Sequence, residues 1–125
     1  MNVVNSLIDK KIIVGEIEEV EGPKGNYKRL LVHPKRTGNR YCQISLLRIL
    51  PHNKFPRHIH PNSEDMIYIL RGRAIFSIGE EEIEGSAGEV IVIPENTPHS
   101  AINNAEEDME AIVIQAPIPE FKFLE

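Results

Sequence analysis

The sequence has a single cysteine, Cys42, among its 125 residues, so it cannot form an internal disulfide framework. Small secreted domains of the disulfide-rich class need several paired cysteines, whereas a lone cysteine is typical of a reducing cytoplasm. Tyr41, Ile44 and Leu46 lie close to Cys42 in the sequence, which favours a small buried side chain over a reactive thiol. We therefore expect a cytoplasmic protein.

The chain also lacks an apolar run long enough to cross a bilayer, which takes about 20 residues. Residues 1–9 have neither a basic start nor a long apolar segment, so no secretory signal is predicted. Lys and Arg number 14 against 19 Asp and Glu, and the densest basic stretch, Lys35 and Arg36 with Arg40, is spread around Gly38 as in a solvated turn. These absences predict no membrane partner and no nucleic-acid partner.

Hydrophobic residues make up 41% of the chain, which is enough for one core. We predict one domain over residues 1–125, with an N-terminal arm at 1–10 and a C-terminal tail at 117–125. Between them, short runs rich in β-branched residues alternate with turn signals about every 8–12 residues. This pattern predicts an all-β fold, either a barrel or a double-sheet sandwich, with roughly nine to eleven short strands and no long helix.

Three segments carry more specific expectations. Residues 11–20 are rich in Ile and Val, which predicts one or two strands with a kink or bulge at Gly15. The tail segment 121–124 is too apolar for a free end, so we expect it to cover a sheet edge or a partner subunit. In the long strand predicted at 41–50, alternate residues are expected to face the core, with Arg48 as the exception; they are Cys42, Ile44, Leu46 and Leu50.

The most ordered stretch of the sequence is residues 57–72, where two histidines alternate on a predicted strand. Alternate side chains of a strand point to one face, so His58 and His60 can direct both imidazoles at one point. Asp65 follows His60 after four residues, and Gly72 follows Asp65 after six. A second ordered stretch contains a third histidine at a fixed spacing from its neighbours; in order it holds Gly88, Pro94, Asn96, His99 and Asn103.

These two stretches resemble the two signature motifs of the cupin superfamily. The first family motif ends in His-x-His, three or four residues, Glu, six residues and Gly. The second runs Gly, five residues, Pro-x-Gly, two residues, His, three residues and Asn. The resemblance covers about residues 40–115. It implies a small single-domain metal-binding cupin of the cupin 2 type, a jelly-roll barrel (double-stranded β-helix) and a metal site formed by His58, His60, Asp65 and His99.

Three positions depart from the family motifs. His52 stands where the first motif usually opens with glycine, and Asn96 replaces a glycine of the second, a mild change because Asn tolerates the left-handed conformation. Asp65 stands where the family has a metal-binding glutamate, and Glu64 precedes it with the longer side chain. Both parities of this strand are apolar, so burial does not decide between the two carboxylates. The spacing to Gly72 favours Asp65, although its side chain is one methylene shorter.

Three imidazoles and one carboxylate, with further positions left to water, suit a divalent transition metal: Fe, Mn, Ni, Cu or Zn. The alternative is a barrel that keeps its histidines and holds no physiological metal. His-x-His alone occurs by chance, and it is the shared register with Asp65 and His99 that favours a metal. Outside the motifs, we expect His33 at a strand end, His52 in a turn and Arg48 in a surface salt bridge.

The resemblance leaves the function open, because cupins include dioxygenases, isomerases, epimerases, decarboxylases and non-enzymatic binding modules. The first hypothesis is a metal-dependent enzyme, dioxygenase-like or isomerase-like, acting on a small polar molecule; the sequence identifies no catalytic base. The second is a binding or sensing module that holds a carboxylate or sugar-like ligand. The residues expected to face inward beside the ligands include no general acid or base, which keeps this second hypothesis open; they are Ile67, Ile69, Thr97 and Ala101.

A homodimer is also expected. The strand predicted at 65–71 is apolar on both parities, so its outer face needs a cover, and the apolar tail adds a second surface of this kind. The resemblance points the same way, because such cupins usually pair.

Overall fold

The structure is a computed structural model that describes residues 11–125. The N-terminal arm expected at 1–10 lies outside the described residues. Within the described range, one short α-helix, α1 (Pro34–Thr37), and one 3-10 turn (Val14–Glu16) accompany eleven strands. The strands are β1 (Val20–Glu21), β2 (Asn26–Val32), β3 (Gln43–Ile49), β4 (Lys54–Ile59), β5 (Glu64–Arg71), β6 (Arg73–Ile78), β7 (Glu81–Ser86), β8 (Val90–Ile93), β9 (His99–Ile102), β10 (Met109–Ala116) and β11 (Lys122–Phe123). None of the described helices has the length and apolar character that a membrane span needs.

The strands form two antiparallel sheets. One has six strands in the order β1-β2-β3-β10-β5-β8, and the other has five in the order β11-β4-β9-β6-β7. From β3 onwards the chain passes to the other sheet at every connection except β6 to β7, so neighbours in a sheet are often far apart in sequence. This arrangement confirms the predicted all-β jelly-roll barrel.

The core lies between the two sheets and follows the two-residue period of the strands. In β10 every second side chain is buried, from Met109 through Ala111 and Val113 to Gln115. In β5 the buried set is Asp65, Ile67 and Ile69, while the alternate residues are more exposed. Each fully buried aliphatic side chain contributes roughly 1.5–3 kcal/mol to folding. The same alternation that builds the core therefore also directs Asp65 of β5 and Gln115 of β10 into the barrel.

The face assigned to β3 from the sequence was wrong. The residues that point into the barrel are Ser45 and Ile49, both buried, with Leu47 packed against the core. Ile44 and Leu46 instead lie on the outer face, opposite apolar residues of β10 in the pairing register. Both faces of this strand are apolar, and the sequence pattern alone cannot tell inside from outside in that case.

The prediction of strands across residues 11–20 was also largely wrong. Only β1 is a strand at the end of this segment, and Val14–Glu16 forms a 3-10 turn. Ile13 is half exposed, so the apolar residues here do not all enter the core. The Arg29 guanidinium donates hydrogen bonds to the carbonyls of Val14 and Ile17, which holds the segment without a strand ladder. β propensity needs a partner strand to take effect, and in the described structure only Val20 of this segment has one, in β2.

The chain reverses between β5 and β6 at Gly72, where the backbone leaves no room for a side chain. Its φ is +74°, and a Cβ added there would lie 2.4 Å from the carbonyl oxygen of Asp108. Gly79 has a similar φ of +60° but no atom within 4 Å of the added Cβ. We expect Gly79→Ala to lower the free energy of unfolding by about 1–2 kcal/mol, the cost of the left-handed conformation, and Gly72→Ala to lower it clearly more. Urea denaturation of both variants measures the difference, and equal losses would contradict the close approach.

Candidate metal centre

Four polar side chains converge inside the barrel from three strands and one turn. His58 lies on β4 directly opposite His99 on β9, in neighbouring antiparallel strands. His60 follows the end of β4, and Asp65 is the second residue of β5. All four are buried, and each offers one ligand atom, these atoms lying within 4.8 Å of one another. The structure thus brings together the four residues that the resemblance implied.

Each imidazole is held in one orientation by a backbone carbonyl. The Nδ1 atoms lie 2.8 Å from the Pro56 oxygen in His58, 2.8 Å from the Glu120 oxygen in His60 and 2.7 Å from the Thr97 oxygen in His99. A carbonyl only accepts, so each Nδ1 carries a proton, and an imidazole that is neutral in this orientation has its lone pair on Nε2. Such a second hydrogen bond is the usual support of a metal-binding histidine.

The carboxylate of Asp65 completes the cluster, but it lies too far from the imidazoles to form hydrogen bonds with them. Its Oδ2 lies 3.5 Å from His99 Nε2 and 3.6 Å from His60 Nε2. His99 Nε2 and Asp65 Oδ1 are buried and have no hydrogen-bond partner among the described residues. Buried polar atoms are rarely left without a partner, because the loss of hydration is costly. A cation placed between these atoms would satisfy both, so the residues present fit a metal ion.

Burial also favours the protonation state that a metal requires. The pKa of His58 is lowered to about 4, mainly by loss of hydration and next by the neighbouring His99. The pKa of His60 is likewise lowered, with burial as the largest cause, although the Asp65 carboxylate opposes it. Both imidazoles are therefore neutral near pH 7, the form that donates a lone pair.

The described fold and site agree with the comparisons to known proteins. A family model described as a cupin domain matches residues 45–115, more than half of the chain. The chain belongs to the cupin family. An uncharacterised protein of Methanocaldococcus jannaschii, MJ1618, is 30% identical over 100 residues, which cover 78% of this chain and 80% of that protein.

Two further similarities concern proteins with assigned names. The polyketide synthase CurC of Streptomyces cyaneus is 24% identical over 107 residues, covering 84% of this chain and 70% of that one. The crystal structure of the polyketide cyclase RemF from Streptomyces resistomycificus superposes with a TM-score of 0.79 at 20% identity, covering 92% of this chain and 84% of that one. At this identity the structural match shows the shared fold.

The two motif positions where this cupin lacks glycine still have the backbone that glycine favours. His52 has a φ of 61° and Asn96 a φ of 54°, and these are the positive-φ residues other than glycine among those described. The Asn96 N–H donates to the His60 carbonyl at 2.9 Å, which ties the second motif to the first. The expected tolerance of Asn for the left-handed conformation is thus realised.

The choice between the two neighbouring carboxylates is decided by strand direction. Asp65 points into the barrel and is 4% exposed, whereas Glu64 points outward and is exposed. The two histidines that are not candidate ligands lie away from the cluster. His33 caps α1 by accepting from the Lys35 N–H, and His52 lies 2.7 Å from Glu106 at the surface. Arg48 forms the expected partly exposed salt bridges, with Glu19 and Asp108.

Sequence reasoning missed Gln115, which lies directly opposite Asp65 in the β5–β10 register. Its amide nitrogen is 3.3 Å from His60 Nε2, and its amide oxygen accepts from Gln43 Nε2 at 3.1 Å. The second contact orients the amide, so the Gln115 NH₂ group faces the imidazole lone pair. A signal was present in the sequence, because Gln115 is the one polar residue on the buried parity of β10.

The C-terminal tail forms one wall of the site. Strand β11 pairs with β4 at the edge of the five-stranded sheet, which confirms that the tail covers a sheet edge. The Phe121 ring stacks on His58 with centroids 4.7 Å apart and an interplanar angle of 3°, and it meets His60 edge-on at 4.8 Å. The tail also supplies the Glu120 carbonyl that orients His60.

The turn between the histidines and Asp65 anchors this tail. Asn62 donates to the Ile118 carbonyl at 3.0 Å and accepts from the Glu120 N–H at 2.8 Å. Ser63, which is buried, donates to the Pro117 carbonyl at 2.8 Å. The residues spaced between the candidate ligands therefore position the tail, and the tail in turn orients one of those ligands.

The lowered pKa of His58 makes a prediction for the metal-free protein. As the pH falls from 6.5 towards 4, the unfolded chain protonates this imidazole while the folded protein keeps it neutral. The unfolded state then binds more protons, so the free energy of unfolding should fall with pH, by up to about 3 kcal/mol from this residue. Urea denaturation across this window should show a smaller fall for His58→Gln than for the wild type. His52→Gln, at an exposed position, is the control, and equal slopes for all three proteins would contradict the prediction.

Proposed function

We propose that this cupin binds a divalent transition metal through His58, His60, Asp65 and His99. The observation that carries the proposal is a pair of buried atoms without hydrogen-bond partners, His99 Nε2 and Asp65 Oδ1. They lie in a cluster whose three imidazoles are each oriented by a hydrogen bond from Nδ1 to a backbone carbonyl. Fe, Mn, Ni, Cu and Zn all accept such a donor set. The identity of the metal is left to measurement.

We further propose that the site serves a metal-dependent enzyme acting on a small oxygen-bearing molecule, by dioxygenase-like or isomerase-like chemistry. When bound, the metal would supply Lewis-acid or redox chemistry at positions that the protein leaves open. The protein's own part is to hold three imidazoles and a carboxylate in place and to shield them with apolar walls such as Phe76 and Phe121. The names of CurC and RemF, a polyketide synthase and a polyketide cyclase, support an enzymatic role.

A second candidate is a non-enzymatic module that binds a carboxylate or sugar-like ligand. It is favoured by the chamber beside the cluster, where Ile67, Ala101 and Val113 form much of the wall and cannot transfer protons. A ligand recovered unchanged after prolonged incubation with the metal-loaded protein would support this candidate.

The reducing cytoplasm inferred from Cys42 is common to both candidates and stays a prediction, as does the single domain over 1–125.

The metal proposal predicts a measurable content and a defined set of ligands. Untagged protein should take up about one metal ion per chain, and His99→Ala and Asp65→Asn should each weaken the affinity at least tenfold because a ligand is lost. Elemental analysis and competition with a chelator measure both quantities. His52→Ala, at a histidine outside the cluster, should bind like the wild type. Failure of the wild type to take up any of the five metals would overturn the proposal.

We also propose that the chain forms a homodimer through the outer face of β5 and β8. Tyr68 lies opposite Val90 and Met66 opposite Val92 in the pairing register, so these side chains form one patch at the sheet edge. Tyr68, Val90 and Val92 are 46%, 55% and 60% exposed, an apolar surface that a second copy would cover.

The dimer predicts a change of mass in a single variant. Val92→Glu places a charge in the centre of the patch and should give a monomer, because burying an unpaired carboxylate is costly. Ile83→Glu, on β7 of the other sheet and similarly exposed at 51%, should stay dimeric. Light scattering after gel filtration measures all three proteins. A monomeric wild type, or a dimeric Val92→Glu variant, would show that this face is not the interface.

A further inference from the structure

Lys28 is the one lysine that lines the chamber containing the candidate metal ligands. It lies on β2 directly opposite Leu47 of β3, while the preceding inward pair, Asn26 and Ile49, is buried. Alternation along the strand therefore places Lys28 on the same face of β2 as Asn26, although the Lys28 side chain itself is exposed. Sequence reasoning did not single out this residue, because it stands in a mixed Tyr-Lys-Arg run before the apolar end of its strand.

Two neighbouring chambers share Lys28 as a lining residue. The inner one, beside the histidines and Asp65, has a volume of about 60 Å³. The outer one has a volume of about 490 Å³. Both are lined by the same four side chains, which therefore lie at the boundary between them: Lys28, Leu47, Phe55 and Phe121. The inner chamber has space for a small polar group, and the outer one for a larger body.

The walls and charges of the outer chamber restrict what this body can be. Aliphatic and aromatic residues such as Val20, Leu30 and Phe123 form much of its surface. Its other charged residues are Arg36 against Glu18 and Glu21, so it offers no net positive charge to a second anionic group. An apolar body carrying a single negative charge at one end fits both chambers.

The Lys28 ammonium is available to meet that charge. Among residues 11–125, the structure pairs it with no carboxylate, whereas the lysine at position 54 has a salt bridge to Glu125. Its side chain is accessible from the outer chamber, yet the surrounding walls lower the pKa of Lys28 by loss of hydration, with the charge of Asp65 opposing this. An anion bound here would replace lost hydration with a charge-assisted hydrogen bond.

We propose that Lys28 is the recognition residue for the anionic end of this cupin's ligand, a small monocarboxylate with an apolar body. The carboxylate would occupy the inner chamber, between Lys28 and the four candidate metal ligands, and the apolar body would lie in the outer chamber against Phe55 and Phe121. The inference deepens the proposed function of the same site. Recognition of the anion by Lys28 does not require the metal, so the two proposals can fail separately.

The test compares an acid with its neutral counterpart. Phenylacetate and phenylacetamide have the same aromatic body and differ in the charged end, and NMR titration measures their affinities for metal-loaded and metal-free protein. The wild type should prefer phenylacetate. Lys28→Met should weaken phenylacetate binding by about 10- to 100-fold, the value of one charge-assisted hydrogen bond, and leave phenylacetamide unchanged. Lys28→Arg, which keeps the charge, should retain most of the preference.

The controls separate this inference from the metal proposal and from misfolding. Lys24→Met removes an exposed lysine that lines neither chamber, and it should bind both probes like the wild type. Metal content by elemental analysis should be the same in Lys28→Met and wild type. A preference for phenylacetate that persists in Lys28→Met, or a wild type that binds both probes equally, would overturn the inference. Loss of metal uptake with the Lys28-dependent preference intact would overturn only the metal proposal.

Discussion

The candidate centre depends on three hydrogen bonds from imidazole Nδ1–H groups to backbone carbonyls. They set the tautomer and the ring orientation of His58, His60 and His99, and so direct three Nε2 lone pairs to one place before any ligand arrives. For His58 and His99 the carbonyl lies two residues earlier in the same segment, so local strand geometry supplies it. For His60 the carbonyl belongs to Glu120, sixty residues away, and tertiary structure must supply it.

The tail therefore links the orientation of the candidate ligands to the shape of the cavity beside them. It is anchored by Asn62 and Ser63 and by β11 on the edge of the five-stranded sheet. Phe121 then contributes to three features at once: it stacks on His58, it lines the inner chamber, and it also lines the outer one. A ligand that displaces this ring would also disturb an imidazole. Through the packing of Phe121, a ligand bound in the chamber would thus affect the orientation of His58.

Electrostatics in this barrel favours the neutral form of His58 and His60, which face one carboxylate and one lysine. Loss of hydration disfavours charge on His58 and His60, while the Asp65 carboxylate favours it on both. Lys28 acts against Asp65 here, because the positive charge of Lys28 disfavours protonation of His60. A cation bound among the histidines and an anion bound beside Lys28 would attract each other, so the site is suited to bind a metal ion and a carboxylate together.

The sequence by itself determined the β class and the three histidines of the cluster, because strand alternation and motif spacing are local properties of the chain. Tertiary structure alone decided which face of β3 enters the core, since both of its faces are apolar and only the second sheet distinguishes them. It also decided that Asp65 rather than Glu64 faces the histidines. Gln115, Lys28 and the Glu120 carbonyl join the site from strands and a tail remote in sequence, so no local pattern could place them beside it.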